Sequence, residues 1–230
     1  MGSADETRAL FDRNAATYDR VNTAISLGLD VLWRDWAARR VVDLPGVRVL
    51  DAFAGTGLVG LRAATLGADV TLADMSAGML AVADARAREA RLHVRIVRTD
   101  LTAEPLEVPG SPFDAVTVMF GARYLEDPVR VISSLARLLK VGGSLVLVDF
   151  VEPKPTVPSR MAGFYFFRVL PLLAGALAGR RELYDRLIAS TREMGPPEHL
   201  IAIASDAGLE VAETRSMGFG LVLGVVARRV

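Results

Sequence analysis

The run Val47-Arg48-Val49-Leu50-Asp51-Ala52-Phe53-Ala54-Gly55-Thr56-Gly57 decides the fold. Val47 to Leu50 is mostly apolar and β-branched, the composition of a buried strand. It ends in an acid, passes through small residues and reaches a Gly-Thr-Gly turn. Leu58 to Leu66 then has helical character. Strand, glycine turn and helix together make a cradle. Glycines let the backbone approach a ligand closely, and a helix N-terminus offers N–H groups without intrahelical partners.

Outward from this run the chain alternates. Val70–Ala73, His93–Val97, Phe113–Phe120 and Ser144–Phe150 read as further strands; Ala77–Ala90 and Val129–Leu139 read as helices between them. Such alternation implies a parallel sheet covered on both faces. Lys140-Val141-Gly142-Gly143 is expected to end a helix with a C-terminal glycine. Leu209–Thr214 and Leu221–Ala227, joined through Gly218 and Gly220, predict an antiparallel hairpin at the sheet edge. Residues Asp5 to Val42 read as helices packed outside the sheet. The expectation is one α/β domain over 1–230. It has a Rossmann-like, mostly parallel seven-stranded sheet, a C-terminal hairpin and N-terminal helices. Residues 1–42 form a helical segment before the sheet, and 151–195 an apolar helical lid. This is the class I methyltransferase architecture.

Ligands of such sheets bind outside the carboxyl ends of the strands, where the strand order reverses. Those ends carry Asp51, Asp74, Asp100, Phe120-Gly121 and Asp149-Phe150. Two cofactors compete for the crevice. Gly55-Thr56-Gly57-Leu58-Val59-Gly60 matches G-x-G-x-x-G, and Asp74 stands where a ribose-binding acid belongs, as in nicotinamide enzymes. In that fingerprint, however, the glycines follow the strand directly. Here Asp51 stands four residues ahead of Gly55, and its charge would repel a pyrophosphate. In class I methyltransferases an acid at this place reaches the methionyl end of S-adenosylmethionine, which has no pyrophosphate. Several acids facing one crevice favour a ligand with hydroxyls, an amine and a sulfonium. The bland alternatives are a glycine turn that binds nothing and an Asp74 that merely caps the helix after Met75-Ser76.

The 230 residues can bury an ample core, and 27 basic residues balance 27 acidic ones. No global field draws the chain to nucleic acid. It has no cysteine, which excludes disulfides and zinc–thiolate sites. No His/Asp/Glu cluster has metal-ligand spacing. The segment Met1 to Asp12 has no apolar signal core, so a cytoplasmic enzyme is expected. One segment strains that expectation. Met161 to Ala178 is nearly all apolar, interrupted by Arg168 and Pro171 and loosened by Gly175 and Gly179. It is too short and broken to span a bilayer. It reads either as a helix buried against the sheet or a second subunit, or as a lid over a lipid-like substrate that touches the membrane.

Four blocks resemble a known family along nearly the whole chain. They are Phe11-Asp12-Arg13 with Tyr18-Asp19-Arg20-Val21-Asn22, Ser26 to Asp30 and Trp33-Arg34; the glycine turn; Phe113 to Val118 with Phe120-Gly121-Ala122-Arg123; and Phe164-Tyr165-Phe166 with Arg168 to Pro171. The sequence is similar to the ubiquinone/menaquinone biosynthesis C-methyltransferases of the demethylmenaquinone methyltransferase type. The resemblance implies S-adenosylmethionine as cofactor, S-adenosylhomocysteine as product and no metal. The acceptor would be an isoprenoid-tailed quinol of the demethylmenaquinol kind. Asp51, Gly55, Thr56, Gly57, Asp74, Met75, Asp100, Leu101 and Met119 would hold the cofactor, with Asp74 on the ribose and Asp100 and Leu101 beside the adenine. Tyr18 would close over the methionyl end. Arg123 would be catalytic and face the acceptor ring, with Tyr124, Phe164, Tyr165 and Arg168 also on the substrate. Reversible contact with the inner face of the membrane and a homodimer fit this picture; nucleic acid does not.

Departures from the family pattern keep other readings open. Phe53 replaces a small residue, Leu58 an Asp, Met119 a small polar residue and Tyr124 an Asn, and Leu187-Ile188-Ala189 stand where Glu-Ser-Ile is usual. A methyltransferase acting at oxygen or nitrogen of another phenolic acceptor is the second reading. A cofactor-binding subunit without activity is the third. For ring-carbon methylation, Arg123 suits stabilisation of a phenolate, since a guanidinium stays protonated. Its bland alternative is a surface ion pair with Glu126 or Asp127. Neither His93 nor His199 is placed to act as a base.

Overall fold

The computed structural model describes Asp19, Thr23 and residues 26–43, 46–172 and 181–230, with only the backbone described at 181–184. Seven strands form one sheet: β1 (Arg48–Ala52), β2 (Asp69–Asp74), β3 (Val94–Arg98), β4 (Phe113–Met119), β5 (Leu139–Phe150), β6 (Leu209–Met217) and β7 (Val222–Arg229). Their order is β3-β2-β1-β4-β5-β7-β6. The first five are parallel; β7 runs antiparallel to β5 and to β6. Among the described residues the α-helices are α1 (Leu29–Val41), α2 (Leu58–Thr65), α3 (Ala77–Glu89), α4 (Pro128–Arg137), α5 (Val157–Phe164), α6 (Arg181–Met194) and α7 (Pro197–Asp206). The expected alternation and terminal hairpin are both present.

Because side chains alternate along a strand, each strand feeds two cores. Leu50, Val116, Leu145 and Leu147 pack with Ile132 and Leu135 of α4 and Leu200 of α7. Val49, Val70, Leu72 and Val146 pack with Trp33 and Trp36 of α1 and Leu80 of α3. Both faces of the central strands are therefore covered, as apolar runs in parallel strands require. One expectation is corrected. Lys140 to Gly143 do not cap a helix, because α4 ends at Arg137 and these residues already belong to β5. Phe113 pairs with Leu139 and Ala115 with Ser144, so the glycines form an irregularity inside the strand. Gly142 takes φ 79° there.

The strand order reverses between β1 and β4, which opens a crevice at their carboxyl ends. Asp51 sits at this point. Its carboxylate accepts the Gly60 N–H of α2 at 2.8 Å and the Thr117 hydroxyl of β4 at 2.6 Å. Gly60 is required for that approach: a Cβ there would lie 2.2 Å from Leu72 Cδ2 and 2.9 Å from an Asp51 oxygen. Asp51 is 2% exposed. Burial pushes its carboxyl up from 3.8 to about 6; the bonds from Thr117 and Gly60 oppose the rise, and the Asp74 charge adds to it.

That shift sets a sign. Between pH 3.8 and about 6 the folded chain keeps a proton that the unfolded chain has lost. Stability therefore falls as pH rises through this window and levels off above it. The range corresponds to about 3 kcal/mol as an upper scale. In Asp51→Asn the amide oxygen can still accept from Gly60, its NH₂ can donate to Thr117, and the titration is gone. Urea unfolding at about pH 4 and about pH 7 should show the variant gaining stability relative to wild type with rising pH. A difference independent of pH would contradict the assignment.

Candidate active site

The carboxyl ends of the strands open into a cavity of about 840 Å³. Its polar end is built on the ends of β1, β2 and β3. Asp74, at the end of β2, accepts the Gly55 N–H at 2.9 Å on one oxygen and the Ser76 N–H at 2.8 Å on the other. It thus clips the glycine turn to the start of α3. Ser76, not Asp74, caps that helix, accepting from the Met79 N–H. Asp100 turns one oxygen onto the N–H and hydroxyl of Thr102, beside the buried Leu101. Asp51, Gly55, Thr56, Met75 and Met119 line the same end. Gly57 does not reach it. At φ 78° it faces Ala83 and Leu72, each 3.0 Å from where a Cβ would stand, so its role is to close the turn. Tyr18 lies outside the described residues. Its neighbour Asp19 lines the cavity and accepts from Arg86 of α3 at 2.6 Å.

The other end is apolar. Phe120 and Phe150, at the ends of β4 and β5, stack with centroids 4.9 Å apart. Phe150 stacks in turn on Phe166 at 5.2 Å. Trp33 of α1 meets Phe120 and Phe150 edge-on at 6.2 and 6.0 Å. These are the separations at which aromatic pairs attract beyond their burial. The lid helix α5 continues through a π-helical turn, Tyr165–Val169. Tyr165, Phe166 and Leu170 line the cavity. Phe164 and Arg168, expected on the substrate, are both exposed and outside the lining. Phe166 and Leu170, four residues apart, share the inward face, and Phe164 and Arg168, also four apart, share the outer one. Residues 173–180 of the expected lid lie outside the described residues.

Arg123 joins the two ends. It belongs to a 3₁₀ turn, Ala122–Tyr124, directly after β4 and Phe120-Gly121. It is 8% exposed yet lines the cavity. The surface pair with Glu126 or Asp127 does not form; the guanidinium instead meets the fully buried Asp149 at 2.5 Å. Asp149 also accepts the Arg123 backbone N–H at 3.1 Å and the Phe150 N–H at 2.8 Å. Arg123 lies over the Tyr124, Phe150 and Phe120 rings at 4.5, 5.3 and 5.6 Å, and its Nη2 donates to the Tyr124 hydroxyl at 3.2 Å. A buried ion pair held on three sides by aromatic faces is a fixed cation. The acid at the end of β5 is visible in the sequence, but its pairing with Arg123 needs the β4–β5 register. A second pair, Arg34 with Asp30, lies in the cavity wall, where Thr23 and Ser26 also donate to Asp30. Neither histidine lines the cavity. Among the described residues no group of three or more His, Cys, Asp or Glu is arranged to hold a metal.

The polar end suits S-adenosylmethionine. It offers carboxylates for hydroxyls and cationic groups, an apolar wall at Leu101 for a base, and a glycine turn whose backbone is open at Gly55, where a Cβ would meet nothing within 4 Å.

Comparison with known proteins agrees. The family model of the ubiE/COQ5 methyltransferase family matches residues 2–228. The chain is 32% identical over 222 residues to the ubiquinone/menaquinone biosynthesis C-methyltransferase UbiE of Shewanella woodyi, covering 95% of this chain and 88% of that one. It is 35% identical over 218 residues to the demethylmenaquinone methyltransferase of Clavibacter sepedonicus, covering 94% and 87%. The crystal structure of magnesium protoporphyrin IX methyltransferase from Synechocystis PCC 6803 with bound SAH superposes with a TM-score of 0.68 at 23% identity, covering 99% of this chain and 100% of that one. This last likeness concerns the fold. The chain belongs to the ubiE/COQ5 methyltransferase family and is an S-adenosylmethionine-dependent methyltransferase.

Proposed function

We propose that the chain methylates a ring carbon of a tailed quinol in respiratory quinone biosynthesis, the reaction that its relatives' names describe. Bound S-adenosylmethionine supplies an electrophilic methyl group. Asp74 holds its ribose, Asp100 and Leu101 its adenine, and the carboxylates of Asp51 and Asp19 face its cationic end. The aromatic wall of Trp33, Phe120, Phe150 and Phe166 takes the flat acceptor ring and excludes water.

The observation that carries the reading is a buried guanidinium in that wall. A ring carbon becomes nucleophilic when the adjacent hydroxyl loses its proton, and a phenol has a pKa of about 10. Arg123, with Tyr124 beside it, stabilises the developing oxyanion in a dry site where such donors count most. The proton leaves to water at the cavity mouth. Asp149 keeps the guanidinium aimed and offsets part of its charge, so Arg123 acts by direction as much as by field. Tyr124, in place of the family's Asn, favours a second reading: a phenolic acceptor other than the usual quinol, methylated at oxygen or nitrogen.

The finer reading of the lid is that it docks on the membrane. Met161, Phe164 and Leu172 are large apolar residues exposed on it, and Arg160 and Arg168 are exposed among them. No acidic residue occurs from Pro153 to Leu172. An apolar, basic face fits an anionic bilayer, where a tailed quinol dissolves. No described helix is long and apolar enough to cross a membrane. Phe166 and Leu170, expected to share this role, are buried and belong to the cavity.

Three outcomes are expected. In the series wild type, Arg123→Lys, Arg123→Ala, turnover should fall in that order, by about 10²–10³ at the last step. Cofactor affinity measured by calorimetry should stay nearly constant; equal turnover in all three would remove Arg123 from catalysis. Asp74→Ala should weaken S-adenosylmethionine by about 1.5–3 kcal/mol, the scale of a lost charge-assisted hydrogen bond. Unchanged binding would leave Asp74 with only its turn-clipping role. The double change Met161→Ser, Phe164→Ser should reduce sedimentation with anionic vesicles without lowering the melting temperature. Undiminished sedimentation would exclude this face as the docking surface.

A further inference from the structure

Five non-glycine residues among those described take positive φ: Leu27, Phe53, Arg91, Phe120 and Phe219. Arg91 follows the C-terminus of α3, where a left-handed residue commonly ends a helix, and Leu92 N–H bonds back to Ala87. The other four are large and apolar, and all four line the cavity. For bulky side chains this conformation is an outlier that persists where the surroundings enforce it. Phe53 and Phe120 belong to the inner part of the cavity. Leu27 and Phe219 differ, being 77% and 65% exposed while lining it, and so stand at its mouth.

Phe219 is the sharper case. It takes φ 57° at the centre of Gly218-Phe219-Gly220, the turn that joins β6 to β7. The turn is wedged in place. A Cβ on Gly218 would come within 2.8 Å of Trp33, and one on Gly220 within 3.3 Å of Pro153. The N–H of Leu221 closes the turn onto the Gly218 carbonyl, and the Leu221 carbonyl accepts from Val151. The C-terminal hairpin is thus pinned between α1 and the start of the lid. The pinning holds an aromatic ring out towards solvent at a strained position. The strain opposes stability, the exposure leaves the ring without the burial that could offset it, and a glycine would remove the strain. Neither core packing nor turn formation accounts for a phenylalanine here.

We propose that Phe219, together with Leu27, grips the apolar tail of the acceptor at the cavity mouth and makes the enzyme selective for tailed over tail-less rings. This rests on the quinol reading above and adds to it the residues that read the tail. The ring of the acceptor enters the aromatic wall, and the first part of the tail leaves between apolar side chains from chain-distant segments: Leu27 before α1, Val157 and Met161 on α5, and Phe219. Covering two such side chains with a tail removes apolar surface from water on both partners, a gain unavailable to a bare ring.

The test is binding, measured by quenching of tryptophan fluorescence with two probes: a naphthoquinone with a short isoprenoid tail and its tail-less parent. Wild type should bind the tailed probe more tightly. Phe219→Gly should weaken the tailed probe about tenfold, leave the tail-less probe unchanged and keep or raise the melting temperature. Phe219→Leu, which retains an apolar side chain, should restore most of the selectivity. Selectivity that survives in Phe219→Gly would overturn the proposal and leave the quinol reading standing, as would equal binding of both probes by wild type. A loss for both probes alike, with a lowered melting temperature, would return Phe219 to a packing role. No binding of either probe by wild type would sink the quinol reading, and this inference with it.

Discussion

The carboxylate of Asp51 is the constraint on which the site depends. One acid joins three elements at the point where the sheet reverses, taking the N–H of Gly60 in α2 and the hydroxyl of Thr117 in β4 from the end of β1. Its burial is expensive, and the raised pKa registers that cost. The return is geometric. With α2 drawn down onto the sheet, the turn at Gly55 and Thr56 faces the crevice, and Asp74 can clip it from the neighbouring strand. The cofactor end of the cavity follows from two carboxylates that each hold backbone before they meet any ligand.

The acceptor end rests on a second buried acid. Replacing a buried pair by apolar groups is often harmless to stability, but removing one partner is not. Arg123 and Asp149 therefore stand or fall together as structure. As chemistry they divide the work. Asp149 does not line the cavity; Arg123 does. The aromatic rings around Arg123 exclude water and leave the guanidinium the polar feature of an otherwise greasy wall, beside the hydroxyl of Tyr124. Such a wall suits the flat, oxygen-bearing acceptor proposed above.

What the sequence revealed follows the range over which each interaction acts. The strand–turn–helix at Val47 to Leu66 and the acids at strand ends are local patterns, and they are where the fold places them. The bulge at Lys140 to Gly143 is ambiguous in the sequence, because a glycine pair after an apolar run marks a helix end as readily as a strand irregularity. Arg123 could be picked out, but its partner could not, since Glu126 and Asp127 are nearer in sequence than Asp149 and only the β4–β5 register selects among them. In the lid, helical spacing already sets Phe164 and Phe166 on opposite faces, but only the assembled cavity decides which of them is inward. Phe219 carried no signal beyond its flanking glycines; its meaning lies in φ 57° beside a cavity assembled from distant segments.

The central claim is that this cavity directs methyl transfer to a ring carbon. The most direct measurement is incubation of the purified chain with a tailed demethylated quinol and S-adenosylmethionine carrying a ¹³C-labelled methyl group, followed by NMR of the product. The account predicts a labelled methyl carbon bonded to the quinone ring and coupled to ring carbon. A labelled methoxy signal, or label on nitrogen of some other acceptor with none on the quinol, would contradict it.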